Sequence, residues 1–256
     1  MARYINPIPN LESDKETKSK IDREAVGDYK DQEIKYFVFI DALGFKQAFF
    51  DNGKSEKSSK ELSEKYSDVF YYYFELMNDA NFMMTNECYA GQTSDSLYFY
   101  TSRADWLVDF IILFSHFNMY AMEKNIFFRG GIAKGGLSYK ENYQFYGDSV
   151  IKAYLLESEI AKNPIISVDQ STFEDIIKIG DYKWLIRTEH ERHYIKPFVI
   201  LEEERHLPVR NKELIREVKK ELIIENIKSN KRNFEYDNGN FGKFVFLEKE
   251  FAISDE

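Results

Sequence analysis

The chain has 256 residues and a formal net charge of −9, and 43% of its residues are hydrophobic and 16% aromatic. This length can hold one large domain, or a core domain with an extension. The negative charge leaves no basic surplus for general nucleic-acid binding, and the single cysteine, Cys88, excludes an internal disulfide and fits a reducing cytoplasm.

The N-terminal third begins with a charged segment. Residues 1–33 are poor in apolar side chains, which predicts a mobile arm. Residues 34–40 are apolar on both faces, so we expect them to form a central strand. One-turn apolar spacing predicts a helix over 61–78. A hairpin follows, with strand-like segments at 83–89 and 97–100.

The middle of the chain alternates helices with strands. A helix is predicted over 104–124, with Ser102 as its N-cap. A strand over 126–133 ends in Lys-Gly-Gly, a second helix opens near Gly147 and reaches about residue 162, and a strand covers 165–168. This order predicts an α+β sandwich, with helices packed on a sheet.

The last third predicts a short helix at 171–179, a strand at 194–201, a charged helix at 212–228 and a final strand at 243–247. We therefore expect three parts. These are the arm (1–33), a core (34–169) and a C-terminal α/β extension packed on that core (170–256).

The sequence indicates no membrane partner. The most apolar helical segment, residues 106–122, is interrupted by Asp109, His116 and Asn118, and it is too short and too polar for a membrane span. Residues 1–10 lack the long apolar region of a signal peptide. We expect a cytoplasmic protein that binds neither membranes nor nucleic acid.

Two aspartates lie where apolar strands break into turns. Asp41 ends the first strand, and Asp95 lies in the turn of the hairpin. Each alone could be a strand cap or a turn residue. Two carboxylates brought together by neighbouring strands repel each other unless a cation lies between them, and hard divalent ions prefer oxygen ligands of this kind. Together the two aspartates predict a metal site.

Residues 128–136 combine glycines with two cations. Glycine lets a backbone approach a ligand closely, and Arg129 or Lys134 could contact phosphate. The glycines could equally serve only a bulge and a turn. The spacing of a P-loop is missing, and so is a dinucleotide-binding fingerprint.

In this order, the segments resemble the class III nucleotide cyclases over residues 34–169. Residues 39–45 are similar to the first metal motif of that family, 94–96 to its second, 129–135 to its glycine-containing strand, and 146–150 to the loop that opens its catalytic helix. The resemblance implies a ferredoxin-like core. It also implies two Mn²⁺ or Mg²⁺ ions held by Asp41, Asp95 and the backbone of Ala42. The positions implied for the nucleotide are Phe45, Gly91, Arg129, Lys134 and Gln144.

Four positions depart from the purine cyclases. Gly91 and Gln144 stand where those enzymes carry a base-reading lysine and aspartate, and Ile151 and Leu155 replace the asparagine and arginine of their catalytic helix. With residues 153–157, this combination resembles the pyrimidine cyclases of the bacterial Pycsar anti-phage systems.

That second resemblance implies a homodimer with the site at its interface. It further implies that the substrate is UTP or CTP, the ion manganese and the product a cyclic nucleotide that a separate effector senses. Two alternatives stay open. One is another palm-like nucleotidyltransferase, although the Gly-Gly-Asp/Glu signature of diguanylate cyclases is missing. The other is a degenerate cyclase that acts as a nucleotide sensor or interaction module.

Overall fold

The computed structural model describes residues 33–46, 48, 56–82, 87–140, 144–198, 207–234 and 237–254, so the predicted arm lies almost wholly outside the described residues. The strands are β1 (Glu33–Ala42), β2 (Cys88–Thr93), β3 (Ser96–Thr101), β4 (Phe128–Lys140), β5 (Gln144–Tyr146), β6 (Ile166–Val168), β7 (Ile186–Glu189) and β8 (Arg192–Ile195). The helices are α1 (Glu56–Asp79), α2 (Ala104–Glu123), α3 (Asp148–Leu155), α4 (Gln170–Ile179), α5 (Lys220–Asn233) and α6 (Asn238–Ser254). A π-helical turn (Leu156–Ile160) continues α3, and a 3₁₀ turn lies at Lys212–Leu214.

The strands form one mixed sheet in the order β2-β3-β1-β4-β6-β8-β7, with β5 paired to β4. Elements β1 to β4 follow the order strand, helix, strand, strand, helix, strand, and their four strands lie in the order β2-β3-β1-β4. This is the ferredoxin-like arrangement. The predicted α+β class and the predicted ferredoxin-like core are therefore confirmed.

The two faces of β1 explain its central place. Successive side chains of a strand point to opposite faces of the sheet. Tyr36, Val38 and Ile40 belong to the main core, between the sheet and helices α1 and α2. Phe37 and Phe39 pack with residues of α3 on the other face of the sheet. Apolar groups on both sides of the strand remove it from water, as the sequence predicted.

Helix α2 forms the centre of the layer beneath the sheet. Its residues 110–122 are all buried, and the ring of Phe110 stacks on Phe99 of β3 with centroids 4.2 Å apart. Burial around the whole helix explains why most of its residues are apolar. Of the helices in the described ranges, none has both the length and the apolar character to cross a membrane.

Helix α3 lies directly on β4 at Gly131. A Cβ atom added there would come within 2.1 Å of the carbonyl oxygen of Ala153 on the helix. Gly147, just before α3, has a φ of 140°, which L side chains rarely adopt. Gly131 therefore allows α3 to pack close to the sheet, and Gly147 allows the turn from which the helix begins.

Several predicted boundaries were wrong in the last third of the chain. The segment 243–247, in which four apolar residues follow Lys243, was predicted as a strand, but it belongs to helix α6. Phe244, Leu247 and Phe251 recur at helical spacing and pack on Ile223 and Ile227 of α5, so contact with a distant helix decides the conformation. The predicted charged helix 212–228 is a 3₁₀ turn followed by α5. The predicted strand 194–201 is β8, which ends at Ile195; residues 196–198 are not in a strand, and 199–201 lie outside the described residues.

Two further expectations needed correction. Strand β4 continues to Lys140 instead of ending before Lys134, because it pairs with β1 and then with β5. The N-cap of α2 is Arg103 rather than Ser102, and the backbone N–H of Arg103 donates to the hydroxyl of Thr101 at 3.1 Å.

A polar contact ties α4 to the sheet. The Lys134 ammonium pairs with Asp175 Oδ2 at 2.5 Å, and the Tyr36 hydroxyl donates to the same oxygen at 2.8 Å. The hydrogen bond from Lys134, with those from Tyr36 and Lys178, lowers the pKa of Asp175 to about 2. The ionised carboxylate is thus favoured in the folded state.

We expect Asp175→Asn to lower the free energy of unfolding by about 1–2 kcal/mol at pH 7. Because the pKa of folded Asp175 lies below its usual 3.8, this stabilisation is present above pH 3.8 and is lost as the pH falls through about 2. Urea titrations at several pH values measure it. Asp181→Asn, at an exposed position, is the control; a difference between wild type and D175N that does not shrink in acid would contradict the assignment.

Candidate functional site

Asp41 and Asp95 meet at one edge of the sheet. Strands β1 and β3 pair antiparallel, with Asp41 opposite Ser96, and Asp95 directly precedes Ser96 in the β2–β3 turn. The backbone N–H of Ala42 donates to the carbonyl oxygen of Asp95 at 3.2 Å. This hydrogen bond holds the turn against the end of β1, so the two aspartates predicted to converge are neighbours.

The ionisation of Asp41 is set by opposing influences. Burial raises its pKa, and the charge of Asp95 adds to that effect. The hydroxyl of Ser96 donates to Asp41 Oδ1 at 2.9 Å and lowers the pKa, and the charge of Arg129 lowers it too. The net result is a raised pKa. A cation placed between the two carboxylates would favour the ionised form.

Arg129 lies opposite Asp41 on β4. Its Nε forms an ion pair with Oε1 of Glu157 at 2.5 Å, and Glu157, in the π-helical turn after α3, is buried. Burial raises the pKa of Glu157; the charge of Arg129 opposes that shift and the charge of Asp41 increases it. Asp41, Arg129 and Glu157 are therefore electrostatic neighbours. Sequence reasoning gave no role to Ser96 or Glu157, although both lie in segments, 94–96 and 153–157, that carry the resemblance.

A cavity of about 430 Å³ opens beside the aspartates, on the face of the sheet that carries Asp41. We call it the ring-lined cavity, and its lining residues are Phe37, Phe39, Thr93, Ser96, Tyr98, Phe145, Val150, Ile151 and Tyr154. Ser96 belongs both to this cavity and to the contact with Asp41. Aromatic walls next to carboxylates suit a ligand with a flat ring and a charged group.

Gly91 lies behind the wall of this cavity. A Cβ atom at Gly91 would come within 2.5 Å of the Tyr98 ring. The phenol of Tyr98 thus fills the space that a longer side chain at position 91 would need. The backbone of Gln144 begins β5, but its side chain lies outside the described part of the chain.

The structure brings Phe45 toward the aspartates. It follows β1 in a helical turn and contacts Tyr66 of α1 edge-on, with ring centroids 4.8 Å apart. Burial raises the pKa of Tyr66 to about 12, and the charge of Asp95 contributes to the shift. Phe45, Tyr66 and Asp95 therefore lie in one neighbourhood.

Lys134 is not brought to the aspartates. It pairs with Tyr36 in the β1–β4 register, five residues from the pairing of Asp41 with Arg129, which corresponds to roughly 17 Å along the strands. It lies on the opposite face of the sheet, paired with Asp175. Lys134 was predicted to contact the phosphate of a bound nucleotide. In the structure it instead forms the ion pair with Asp175 that ties α4 to the sheet.

A cation from the C-terminal helix comes near the site instead. Lys243 lies on α6 next to Phe244, whose ring contacts Phe127 with centroids 5.2 Å apart, and Phe127 is two residues from Arg129. Burial lowers the pKa of Lys243, and the charge of Arg129 lowers it further. Sequence reasoning did not place Lys243 near the aspartates, because residues 243–247 were predicted as a strand and not as part of a helix that packs on Phe127.

The donor atoms fit a divalent ion that is also bound by substrate. Within the ranges that the structure describes, no three His, Cys, Asp or Glu side chains come close enough to hold one ion together. Mg²⁺ and ions like it are commonly bound by one or two carboxylates, with substrate phosphates and water completing the shell. Asp41 and Asp95 meet that requirement, and the carbonyl of Ala42 remains a predicted additional ligand.

Comparisons with known proteins give matches only among solved structures. No protein-family model matches the sequence, and no curated protein matches it either. The monomeric guanylyl cyclase domain of the RhoGC fusion protein from the aquatic fungus Blastocladiella emersonii is 18% identical, with a TM-score of 0.44, over 64% of this chain and 94% of that one. The catalytic core of a rhodopsin-guanylyl cyclase with converted specificity, in complex with ATPαS, is 15% identical, with a TM-score of 0.44, over 64% and 96%. Because the similarity is this low, we base the function on this chain's own residues.

We expect Asp41→Asn and Asp95→Asn each to weaken Mn²⁺ binding at pH 7 by at least tenfold, because each removes a charged ligand. Titration followed by electron paramagnetic resonance measures the free ion. Unchanged binding in both variants would rule out this metal site.

Ser96→Ala should shift the pH dependence of Mn²⁺ binding. Loss of the hydroxyl raises the pKa of Asp41 further, and protons compete with the ion for the carboxylate. As the pH falls, binding should therefore weaken at a higher pH than in the wild type. Ser102→Ala, one residue beyond the other end of β3, should leave the profile unchanged; identical profiles for S96A and wild type would contradict the role of Ser96.

Proposed function

We propose that the chain is a metal-dependent nucleotide cyclase that converts UTP or CTP into the 3′,5′-cyclic monophosphate and pyrophosphate. One observation carries the proposal. The aspartates that the Ala42–Asp95 hydrogen bond holds together lie directly beside a cavity lined with aromatic rings. Carboxylates suit the ions that accompany a triphosphate, and the rings suit a base.

The reaction would be attack of the ribose 3′-oxygen on the α-phosphorus, with pyrophosphate as the leaving group. Bound divalent ions supply charge stabilisation for the attacking and leaving oxygens. Asp41 and Asp95 would hold those ions, and the Ser96 hydroxyl keeps Asp41 available in its ionised form. Arg129, oriented by Glu157, is the protein cation nearest to Asp41 in the strand register and would contact phosphate.

A pyrimidine is favoured by the cavity wall. The base-reading lysine of purine cyclases has no counterpart at Gly91, and Tyr98 occupies the space in front of it. Phe37, Phe39 and Tyr154 offer stacking surfaces, which retain a base without reading a purine edge. Together with the resemblance to the Pycsar cyclases, this supports UTP or CTP as the substrate, and a product that a separate effector senses in anti-phage defence.

A homodimer is supported by the outer face of α3. Ile151, Tyr154 and Leu155 are 61%, 55% and 42% exposed, although they are large and apolar. Ile151 and Tyr154 also line the cavity. A second copy packed on this face would cover the exposed residues and close the cavity.

A nucleotide sensor without turnover is the second candidate. Ile151 and Leu155 occupy the helix positions that carry polar residues in purine cyclases, and both are apolar and exposed. Such a protein would bind the triphosphate through the same cavity and release no pyrophosphate. A palm-like nucleotidyltransferase would release pyrophosphate but form a linear product.

The purified chain with Mn²⁺ and each ribonucleoside triphosphate should yield cyclic UMP or cyclic CMP, identified by mass spectrometry. Asp95→Ala should reduce turnover by at least a thousandfold while circular dichroism stays unchanged, because electrostatic stabilisation is commonly the largest catalytic contribution. Cyclic AMP or GMP as the main product would refute the pyrimidine preference. Binding without any product would favour the sensor.

Ile151→Glu should produce a monomer and lose most activity, because it places a charge in the proposed interface. Analytical ultracentrifugation measures the mass. Ile177→Glu on α4 changes a similarly exposed isoleucine elsewhere and should leave both mass and activity unchanged. A fully active I151E monomer would show that the reaction does not require the proposed dimer.

A further inference from the structure

A second cavity of about 430 Å³ lies between α5 and α6. It is lined by Lys228, Lys231, Arg232, Phe241 and Glu248, and it shares no lining residue with the ring-lined cavity. We call it the α5–α6 cavity. Its volume falls in the range of small-molecule sites, roughly 300–1,000 Å³.

The charge around this cavity is opposite to that of the chain. Lys228, Lys231 and Arg232 follow the i, i+3, i+4 spacing that places side chains on one face of a helix. Three cations thus face one carboxylate, in a chain whose formal net charge is −9. Lys231 pairs with Glu248 at 2.5 Å, whereas Lys228 and Arg232 make no ion pair with any residue that the structure describes.

Helix electrostatics alone do not account for this arrangement. Cations are favoured in the last turn of a helix, which explains Lys231 and Arg232. That effect explains neither Lys228, which lies outside the last turn, nor the half-buried ring of Phe241 from the neighbouring helix. A ring beside several cations matches a ligand that has both a flat ring and an anionic group.

We propose that the α5–α6 cavity is a second nucleotide-binding site, which holds a phosphate ester between Lys228 and Arg232 and its base against Phe241. Glu248 competes with the ligand for Lys231. The site uses no aspartate and no metal ion. It is therefore independent of the proposed cyclase reaction.

The test is equilibrium dialysis of the full chain with radiolabelled UMP and AMP in EDTA, so that metal-dependent binding at the aspartates does not contribute. At least one of the two nucleotides should bind, and uridine and inorganic phosphate should bind at least tenfold more weakly. Asp41→Asn should bind like the wild type. Failure of the cyclase reaction would leave this result untouched.

Variants of the cavity give opposite changes. Lys228→Gln and Arg232→Gln should each weaken nucleotide binding by roughly tenfold, because each removes a charge-assisted contact. Glu248→Gln should tighten binding several-fold by releasing Lys231, a gain that misfolding cannot produce. Lys249→Gln, at an exposed position of α6 outside the cavity, is the matched control and should bind normally.

Three results would overturn the proposal. The first is no binding of either nucleotide at millimolar concentration. The second is binding that K228Q, R232Q and E248Q leave unchanged. The third is inorganic phosphate binding as tightly as the nucleotides, or an unchanged affinity in Phe241→Ala, because either would show that the ring of the ligand is not recognised.

Discussion

The pairing of β1 with β3 on one side and β4 on the other determines where the functional groups of this protein lie. Asp41 stands opposite Ser96 in one pair and opposite Arg129 in the other. A shift of one residue in this register would turn Asp41 to the opposite face of the sheet. That face carries Tyr36, Val38 and Ile40 in the main core. The apolar groups that stabilise the sheet therefore also orient the carboxylate.

The carboxylates at this edge of the sheet lie where their charge is disfavoured. Arg129 lowers the pKa of Asp41, and Arg129 and Lys162 lower that of Glu157. Burial makes the negative charge costly and outweighs these cations, so the pKa values of both carboxyls are raised. A bound cation would remove this cost. The cluster is thus a place where the chain gives up some stability to keep charge near a cavity.

Local patterns were enough to predict the core. The two-sided apolar run of β1, the hairpin with Asp95 at its turn and the glycines of β4 are all contiguous in sequence. The α+β class followed from the order of such segments, and the meeting of Asp41 with Asp95 from the family resemblance that they carry. The ion pair of Arg129 with Glu157 and the approach of Lys243 depend on elements far apart in the chain. No pattern of neighbouring residues in the sequence predicts either of these contacts.

The C-terminal helix α6 is a second case in which contacts between distant segments could not be predicted from the sequence. Residues 244–247, directly after Lys243, are a short apolar run that includes two aromatic residues and a valine, and a strand was the natural interpretation. Burial of Phe244 and Leu247 against α5 favours the helix, and tertiary contact outweighs local preference there. Likewise, Gly91 marked a missing lysine in the sequence, but only the structure shows Tyr98 in its place.

The contact between Gly131 and Ala153 bears on how two copies of the chain would associate. With the helix backbone resting directly on the strand, α3 has no room to move toward the sheet, so the backbone that carries its exposed side chains is held in place. A surface that needs no rearrangement loses little conformational entropy when it is covered. Association through α3 should therefore proceed as the docking of rigid bodies, at a rate set by diffusion and orientation and not by folding of the interface.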